Sequence, residues 1–415
     1  MASAGNGRRV LIIVENLPVP FDRRVWQEAR TLRDAGYQVA VICPIGKGYD
    51  ARYEVIDDIH IYRHRLPMEA EGALGYAVEY GWALAAQFYL ACKVFFTRGF
   101  DVIHACNPPD TIFLIGRVFK LFRRRFIFDH HDINPELYEA KFGRRDFFYR
   151  LLLWLERRTF RTADVSLATN ESYRRIALER GGMAPERVFV VRSGPDLSRL
   201  RLQPPVAAHR HGRKHLVGYV GVMGRQEGID YLLRSVRHIV YDLGRTDIHF
   251  KLVGGGTSLE EMQEYAQALH VADYVTFTGR APDAELLEVL NTADVCVNPD
   301  VANAMNDKST MNKIMEYMAL GKPIVQFDLT EGRYSAQAAS LYAKPNDAQD
   351  MARKIVELID DPARRDEMGR FGRARVENDL AWEYEAPKLL QAYDVALGGR
   401  GAKARVRERG QVRGA

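Results

Sequence analysis

Val10, Leu11, Ile12, Ile13 and Val14 form an unbroken apolar run closed by polar residues and Pro18, the pattern of a parallel strand buried on both faces. Helical spacing follows over residues 22–35, with Val25, Trp26, Ala29 and Leu32 on one side, and stops at Gly36, a natural residue to follow a helix end. A second β-branched run at 38–43 completes a strand–helix–strand unit. Apolar runs at 101–105, 125–128, 165–168 and 188–191 continue the alternation. The pattern restarts at His215: a strand at 216–220, a loop with Gly221, Gly224 and Gly228, a helix through Leu232, Leu233 and Val236, then strands at 249–253, 275–278, 295–298 and 323–327. Residues 195–214, with Pro204 and Pro205, read as a linker. The expectation is an α/β chain of two Rossmann-like domains, 1–200 and 201–380, facing each other across a cleft. A helix over 381–397 returns to the first domain, and a disordered tail spans 398–415. In such sheets ligands bind at the carboxyl ends of the strands.

Two segments are unusually apolar. Residues 73–96 have the length of a membrane span but are interrupted by Glu79, Gln87 and Lys93. Residues 144–158 mix Phe147, Phe148, Leu151 and Trp154 with Arg144, Arg145, Arg150, Arg157 and Arg158. Both read as core helices of the first domain or as a basic amphipathic surface resting on a membrane face. Composition adds little to this picture. The chain has 415 residues, 47% hydrophobic and 27% charged, with a net charge of +5. Residues 400–415 alone carry +5, so the rest is near neutral and a nucleic-acid partner is not expected. Cys43, Cys92, Cys106 and Cys296 are scattered, so neither a metal site nor a disulfide framework is expected and a reducing cytoplasm fits.

Candidate chemistry gathers around Glu316, which is followed by Tyr317, Met318, Ala319, Leu320, Gly321, Lys322, Pro323, Ile324 and Val325. Ser309 or Thr310 is expected to cap this helix, Gly321 to end it, and Pro323 to forbid its continuation. Lys313 and Glu316 share a face. A helix start favours phosphate through its N–H groups and dipole, and Lys308, Lys313 and the loop residue Arg225 stand as cations for a leaving diphosphate. A carboxylate such as Glu316 suits the two adjacent hydroxyls of a ribose. In the first half, His131 follows the strand at 125–128 within the run Asp129, His130, His131, Asp132. Metal binding there is disfavoured because neighbouring residues of an extended run point apart.

These motifs resemble glycosyltransferase family 4, with the GT-B fold. Glu316 and residues 317–325 match its donor-binding helix. Residues 217–221 with Gly228, Ile229 and Asp230 resemble the first strand and loop of its second domain, and Val253, Gly254, Gly255 and Gly256 its glycine turn. His131 with Asp132 falls on its His–Asp pair, and Ser193, Gly194, Pro195 and Asp196 on its junction motif. The resemblance implies retaining transfer from a UDP- or GDP-linked sugar to a glycan or lipid-linked acceptor in surface polysaccharide biosynthesis. No metal or other cofactor is implied. Peripheral contact with the inner face of a membrane is part of the expectation. The implied catalytic residues are His131, Arg225 and Lys313. The donor side would be formed by Gly221, Gly224, Gly254, Gly255, Lys308, Ser309, Thr310 and Glu316, and the acceptor side by Pro20, Asp22 and Arg23. The sequence departs from the family at Val222 and Glu227, where an Arg and a Lys are usual, and at Lys308, where a Glu is usual. Asn303, Asn306 and Asp307 are alternative sugar contacts. These departures leave an inactive nucleotide-sugar-binding subunit open as an alternative, alongside a nucleotide-sugar 2-epimerase.

Overall fold

The computed structural model describes residues 5, 7–65 and 72–398, the side chains of 72–80 excepted. The chain divides into two compact units, Met1–Ser193 with Glu385–Ala415, and Gly194–Tyr384. The basic tail expected over 398–415 lies, from residue 399 on, outside the described residues.

In the first unit, eight strands form one sheet: β1 (Arg9–Ile13), β2 (Gln38–Pro44), β3 (Tyr53–Ile56), β4 (Ile59–His64), β5 (Val102–Cys106), β6 (Arg125–His130), β7 (Val165–Ala168) and β8 (Val188–Val190). Their order is β3-β4-β2-β1-β5-β6-β7-β8, parallel except for β3 against β4. The order reverses between β1 and β5, which makes their carboxyl ends the place where loops diverge and leave a crevice. Helix α1 (Arg23–Asp34) begins where the Asp22 side chain accepts from the Val25 N–H, and it ends as Gly36 takes a positive φ. The two apolar segments form helices, Gly72–Thr97 and Phe147–Thr162, and among the described residues no helix is long and apolar enough to cross a membrane.

The second unit has a six-stranded parallel sheet: β9 (His215–Val220), β10 (Ile248–Val253), β11 (Val275–Gly279), β12 (Val295–Asn298), β13 (Ile324–Phe327) and β14 (Ser340–Ala343). The order β11-β10-β9-β12-β13-β14 places the reversal between β9 and β12. Successive residues of β9 serve opposite faces: Leu216 packs with Leu290, Ile314 and Met318, whereas Val217 and Tyr219 pack with Leu232, Val236 and Ile355. Residues 195–214, expected as a linker, belong to this unit. The N–H groups of Gln203 and Val206 donate to the Asn291 and Thr292 side chains, which ties the segment down.

Candidate functional site

In the second unit, three glycine-rich or polar loops meet at the carboxyl ends of β9, β10 and β12. Loop 221–228 follows β9, loop 254–258 follows β10, and loop 299–311 follows β12. Two glycines are obligatory here. Gly254 has φ +144°, and a Cβ would lie 1.7 Å from the Gly221 carbonyl; Gly228 has φ +65°, and a Cβ would lie 1.9 Å from the Pro299 carbonyl. The loops therefore pack backbone on backbone. Asn306, fully buried, donates from Nδ2 to the carbonyls of Gln226 and Val301, both at 2.9 Å, and so fastens loop 221–228 to loop 299–311. Asn303 accepts from the N–H groups of Met305 and Asn306. Asp307 accepts from the N–H and hydroxyl of Thr330. These three side chains, read from sequence as alternative sugar contacts, hold the loop's own shape.

The helix Asn312–Ala319 starts beside these loops. Its expected cap is corrected by the structure: Met311 occupies the N-cap and no side chain caps the helix, because the Ser309 hydroxyl turns back to the Met305 carbonyl at 2.9 Å. Lys313, in the first turn, keeps only 10% of its side chain exposed. Its Nζ donates to Glu227 Oε2 at 2.7 Å and Asp300 Oδ1 at 2.9 Å, and it lies 4.9 Å from the Tyr219 ring. Burial pushes the Asp300 carboxyl up to about 7, with Lys313 opposing and Glu227 adding to the rise. Burial alone would lower Lys313, but Asp300, Tyr219 and Glu227 outweigh it and hold the ammonium well above its ordinary range. The lysine that sequence places at a diphosphate is thus held by two carboxylates. Glu227, at the position where a lysine is usual, is one of them. Arg225 is 85% exposed and lies 3.8 Å from Glu261. Lys308 and Thr310 are half-buried in loop 299–311. Gly224 precedes the turn Arg225–Glu227, and Gly255 sits beside Arg280. Glu316, one turn after Lys313, is half-buried and pairs through Oε1 with Arg199, which also reaches Asp283 at 3.3 Å. Sequence reading did not find Arg199, because it lies 117 residues away in the segment read as a linker.

In the first unit, His131 lies at the carboxyl end of β6. Its Nε2 is 2.5 Å from Asp129 Oδ2. Arg24 grips the same Asp129 with two bonds, Nε at 3.1 Å and Nη2 at 2.8 Å. Although burial works against it, the charges of Arg24 and His131 hold the Asp129 carboxyl well below its usual range. Nε2 also lies 3.0 Å from Arg24 Nε, so the ring is oriented by the Arg24–Asp129 pair. Asn107, after β5, accepts from the His131 and Asp132 N–H groups and fixes the loop. His130 is a core residue against Phe128, Phe160 and Tyr173, pushed down to about 3 by burial and by Arg180. Pro20 follows a cis bond, Asp22 caps α1, and Arg23 is exposed beside the buried Arg24. His104, Cys106 and Asp129 lie within metal-ligand reach of one another. Asp129 is committed to Arg24 and His131, and burial keeps Cys106 a thiol, so this set does not suit a cation.

Residues 22–194 match the model of the glycosyl transferase 4-like domain, and residues 214–361 that of glycosyl transferases group 1. Among curated relatives, 2-deoxystreptamine glucosyltransferase of Streptomyces kanamyceticus is 26% identical over 251 residues, 57% of this chain and 62% of that protein. D-inositol 3-phosphate glycosyltransferase of Nocardia farcinica is 26% identical over 256 residues, 58% and 55% respectively. The chain thus spans less than two thirds of these relatives' length. Among solved structures, it resembles sucrose-phosphate synthase from Thermosynechococcus elongatus, with TM-score 0.75, 20% identity and coverage of 93% and 98%. It also resembles HepE of Anabaena in complex with UDP and glucose, with TM-score 0.71, 15% identity and coverage of 93% and 99%.

Proposed function

The chain belongs to the family-4-type glycosyltransferases of GT-B fold, and on that premise we propose that it transfers a sugar, with retention, from a UDP- or GDP-linked donor to a glycan or lipid-linked acceptor in surface polysaccharide assembly at a membrane face. The observation that carries the donor side is the meeting, at the β9/β12 reversal, of glycine-backed loops 221–228 and 254–258 with the uncapped start of the helix that bears Glu316. Backbone N–H groups there suit a diphosphate, and the Glu316 carboxylate suits a ribose diol. Lys308 and the solvent-facing Arg225 add positive charge that strengthens as the leaving group ionises.

The acceptor hydroxyl attacks the anomeric carbon on the face from which the diphosphate leaves. The bond from carbon to diphosphate oxygen breaks, the bond to the acceptor oxygen forms, and the acceptor's proton passes to the departing diphosphate. This scheme requires no metal and no enzyme carboxylate as base. In the first unit, the His131 ring, oriented by Asp129, hydrogen-bonds a sugar hydroxyl.

A thermal-shift panel of UDP, GDP, ADP and TDP tests the reading, since a ligand of the folded state raises the melting point by mass action. UDP or GDP is expected to give the largest shift. Glu316→Gln is expected to weaken that nucleotide by about ten-fold, the worth of one hydrogen bond to a charged group. A panel with no shift, or a Glu316→Gln chain that binds as well as the parent, overturns the donor assignment.

A further inference from the structure

The helices Gly72–Thr97, Phe113–Leu121 and Phe147–Thr162 of the first unit turn an apolar face outward. On the first helix, Trp82, Tyr89 and Phe96 recur every seven residues and are 59%, 68% and 81% exposed. On the second, Leu114, Val118 and Leu121 share one helical face and are 45%, 36% and 82% exposed. On the third, Phe147 and Trp154 continue the pattern. The three helices are neighbours: Phe95, beside the exposed Phe96, meets the exposed Phe122 at 5.3 Å, and the exposed Trp154 meets the buried Phe113, next to Leu114, at 6.4 Å. Aromatic and aliphatic side chains placed at surface positions of three neighbouring helices mark an interaction surface rather than scattered exposure.

Acidic residues are sparse on these helices beyond Glu79 in the first and Asp146, which caps the third. Residues 81–100 and 113–128 contain no Asp or Glu, and the only acid in 147–162, Glu156, is buried and bonded to Arg180. Lys120 and Arg125 are engaged by Asp164, and Arg124 by Asp101. Lys93, Arg117, Arg123, Arg150 and Arg161 supply the exposed positive charge, and Arg158 lies over the Trp154 ring at 5.1 Å. At the carboxyl end of the first helix, a cavity of about 590 Å³ is lined by Lys93, Arg98, Tyr53 and Tyr62. Two cations and two phenols at its wall suit an anionic headgroup.

We propose that this three-helix face docks the enzyme on an anionic lipid bilayer, with the aromatic side chains at the headgroup–acyl boundary and the cations on lipid phosphates. A second copy of the chain is the poorer occupant, because a two-fold contact would set like charges against each other. The proposal gives the lipid-linked acceptor reading a physical surface, but its test does not depend on transfer.

The test is cosedimentation of the full chain with vesicles of phosphatidylcholine alone or with roughly one quarter phosphatidylglycerol. About ten-fold stronger binding to the anionic vesicles is expected, lost at about 0.5 M salt as screening shortens to roughly 4 Å. Tyr89→Glu/Phe96→Glu/Leu121→Glu, with all three sites on the surface, should lose that binding while keeping the nucleotide-induced thermal shift. Arg117→Gln/Arg123→Gln should weaken it without touching an apolar residue. The basic residues 400–413 stay in both variants, so any loss belongs to the helical face. The proposal is overturned if the parent chain stays in the supernatant with anionic vesicles, if both variants bind like the parent, or if the face instead mediates a dimer that binds no vesicles. A nucleotide shift without vesicle binding would sink this inference alone; vesicle binding without a nucleotide shift would sink the donor reading alone.

Discussion

Lys313 cannot offer a full positive charge to a diphosphate while Glu227 and Asp300 both hold it. Asp300 decides when that changes. Its carboxyl lies at about 7 in the folded chain against 3.8 ordinarily, because burial penalises the charged form. The folded chain thus takes up this proton at a pH where the unfolded chain has lost it. The stabilising effect of the raised value is complete below about 3.8 and is lost as pH rises through 7. For donor binding the same proton removes one of the lysine's partners. Affinity for UDP or GDP is expected to rise by about ten-fold from pH 8 to pH 6, one pK unit's worth of interaction. Asp300→Asn should flatten the profile by calorimetry. The nucleotide's own protonation is common to both proteins, so identical profiles would refute the idea. A second residue-scale contrast lies in the first unit. Burial and Asp129 push the Glu28 carboxyl well above its usual range despite Arg24, so its charged form is disfavoured beside the Arg24–Asp129 pair. Glu28→Gln should therefore leave stability within about 1 kcal/mol, whereas Asp129→Asn strands a buried guanidinium and should cost about 3–5 kcal/mol in urea titrations.

Elements were legible where the physics is local. Eleven of the fourteen strands in the structure correspond to apolar runs in the sequence, because parallel strands buried on both faces read as continuous hydrophobic stretches. The hairpin of β3 and β4 was missed. β3 is half-exposed, and its turn uses Asp57 and Asp58 at positive φ in place of glycine. β14, a four-residue edge strand in which only Leu341 and Tyr342 are large, is too short to read as an apolar run. At the site, the Glu316 helix and the glycine loops were readable from contiguous motifs. The Lys313–Glu227 and Arg24–Asp129 pairs were not, being 86 and 105 residues apart in sequence. The loops themselves yield a prediction at this scale. Alanine at Gly254 would drive a methyl into the Gly221 carbonyl from a left-handed backbone. A cost of about 1–3 kcal/mol, with loops 221–228 and 254–258 forced apart, should abolish the nucleotide-induced shift while the far-ultraviolet dichroism stays unchanged. Retained nucleotide binding in Gly254→Ala would show that these loops do not form the donor site.

At the scale of the molecule, the second unit is an insertion: the first unit's chain leaves at Ser193 and re-enters at Glu385. What re-enters is structural. The buried Glu385 carboxylate accepts from the Arg192 N–H at 2.9 Å. Tyr393, fully buried, bonds through its hydroxyl to His104 Nδ1 at 2.8 Å and meets Tyr37 edge-on. Leu389, Ala392 and Ala396 are buried beside it. Removing this helix leaves His104, already next to Glu28 and Asp129, without its phenol and uncovers several large apolar side chains. At about 3–5 kcal/mol for a large buried side chain, the loss rivals the net stability of a domain. The second unit keeps both of its hydrophobic clusters within its own boundaries. A chain ending at Tyr384 is therefore expected to lose the first unit's cooperative transition in calorimetry. Residues 194–384 expressed alone should melt cooperatively and still shift with UDP or GDP. If the shortened chain kept the first unit's transition, the returning helix would be dispensable, and His104 and Arg192 would have to find other partners.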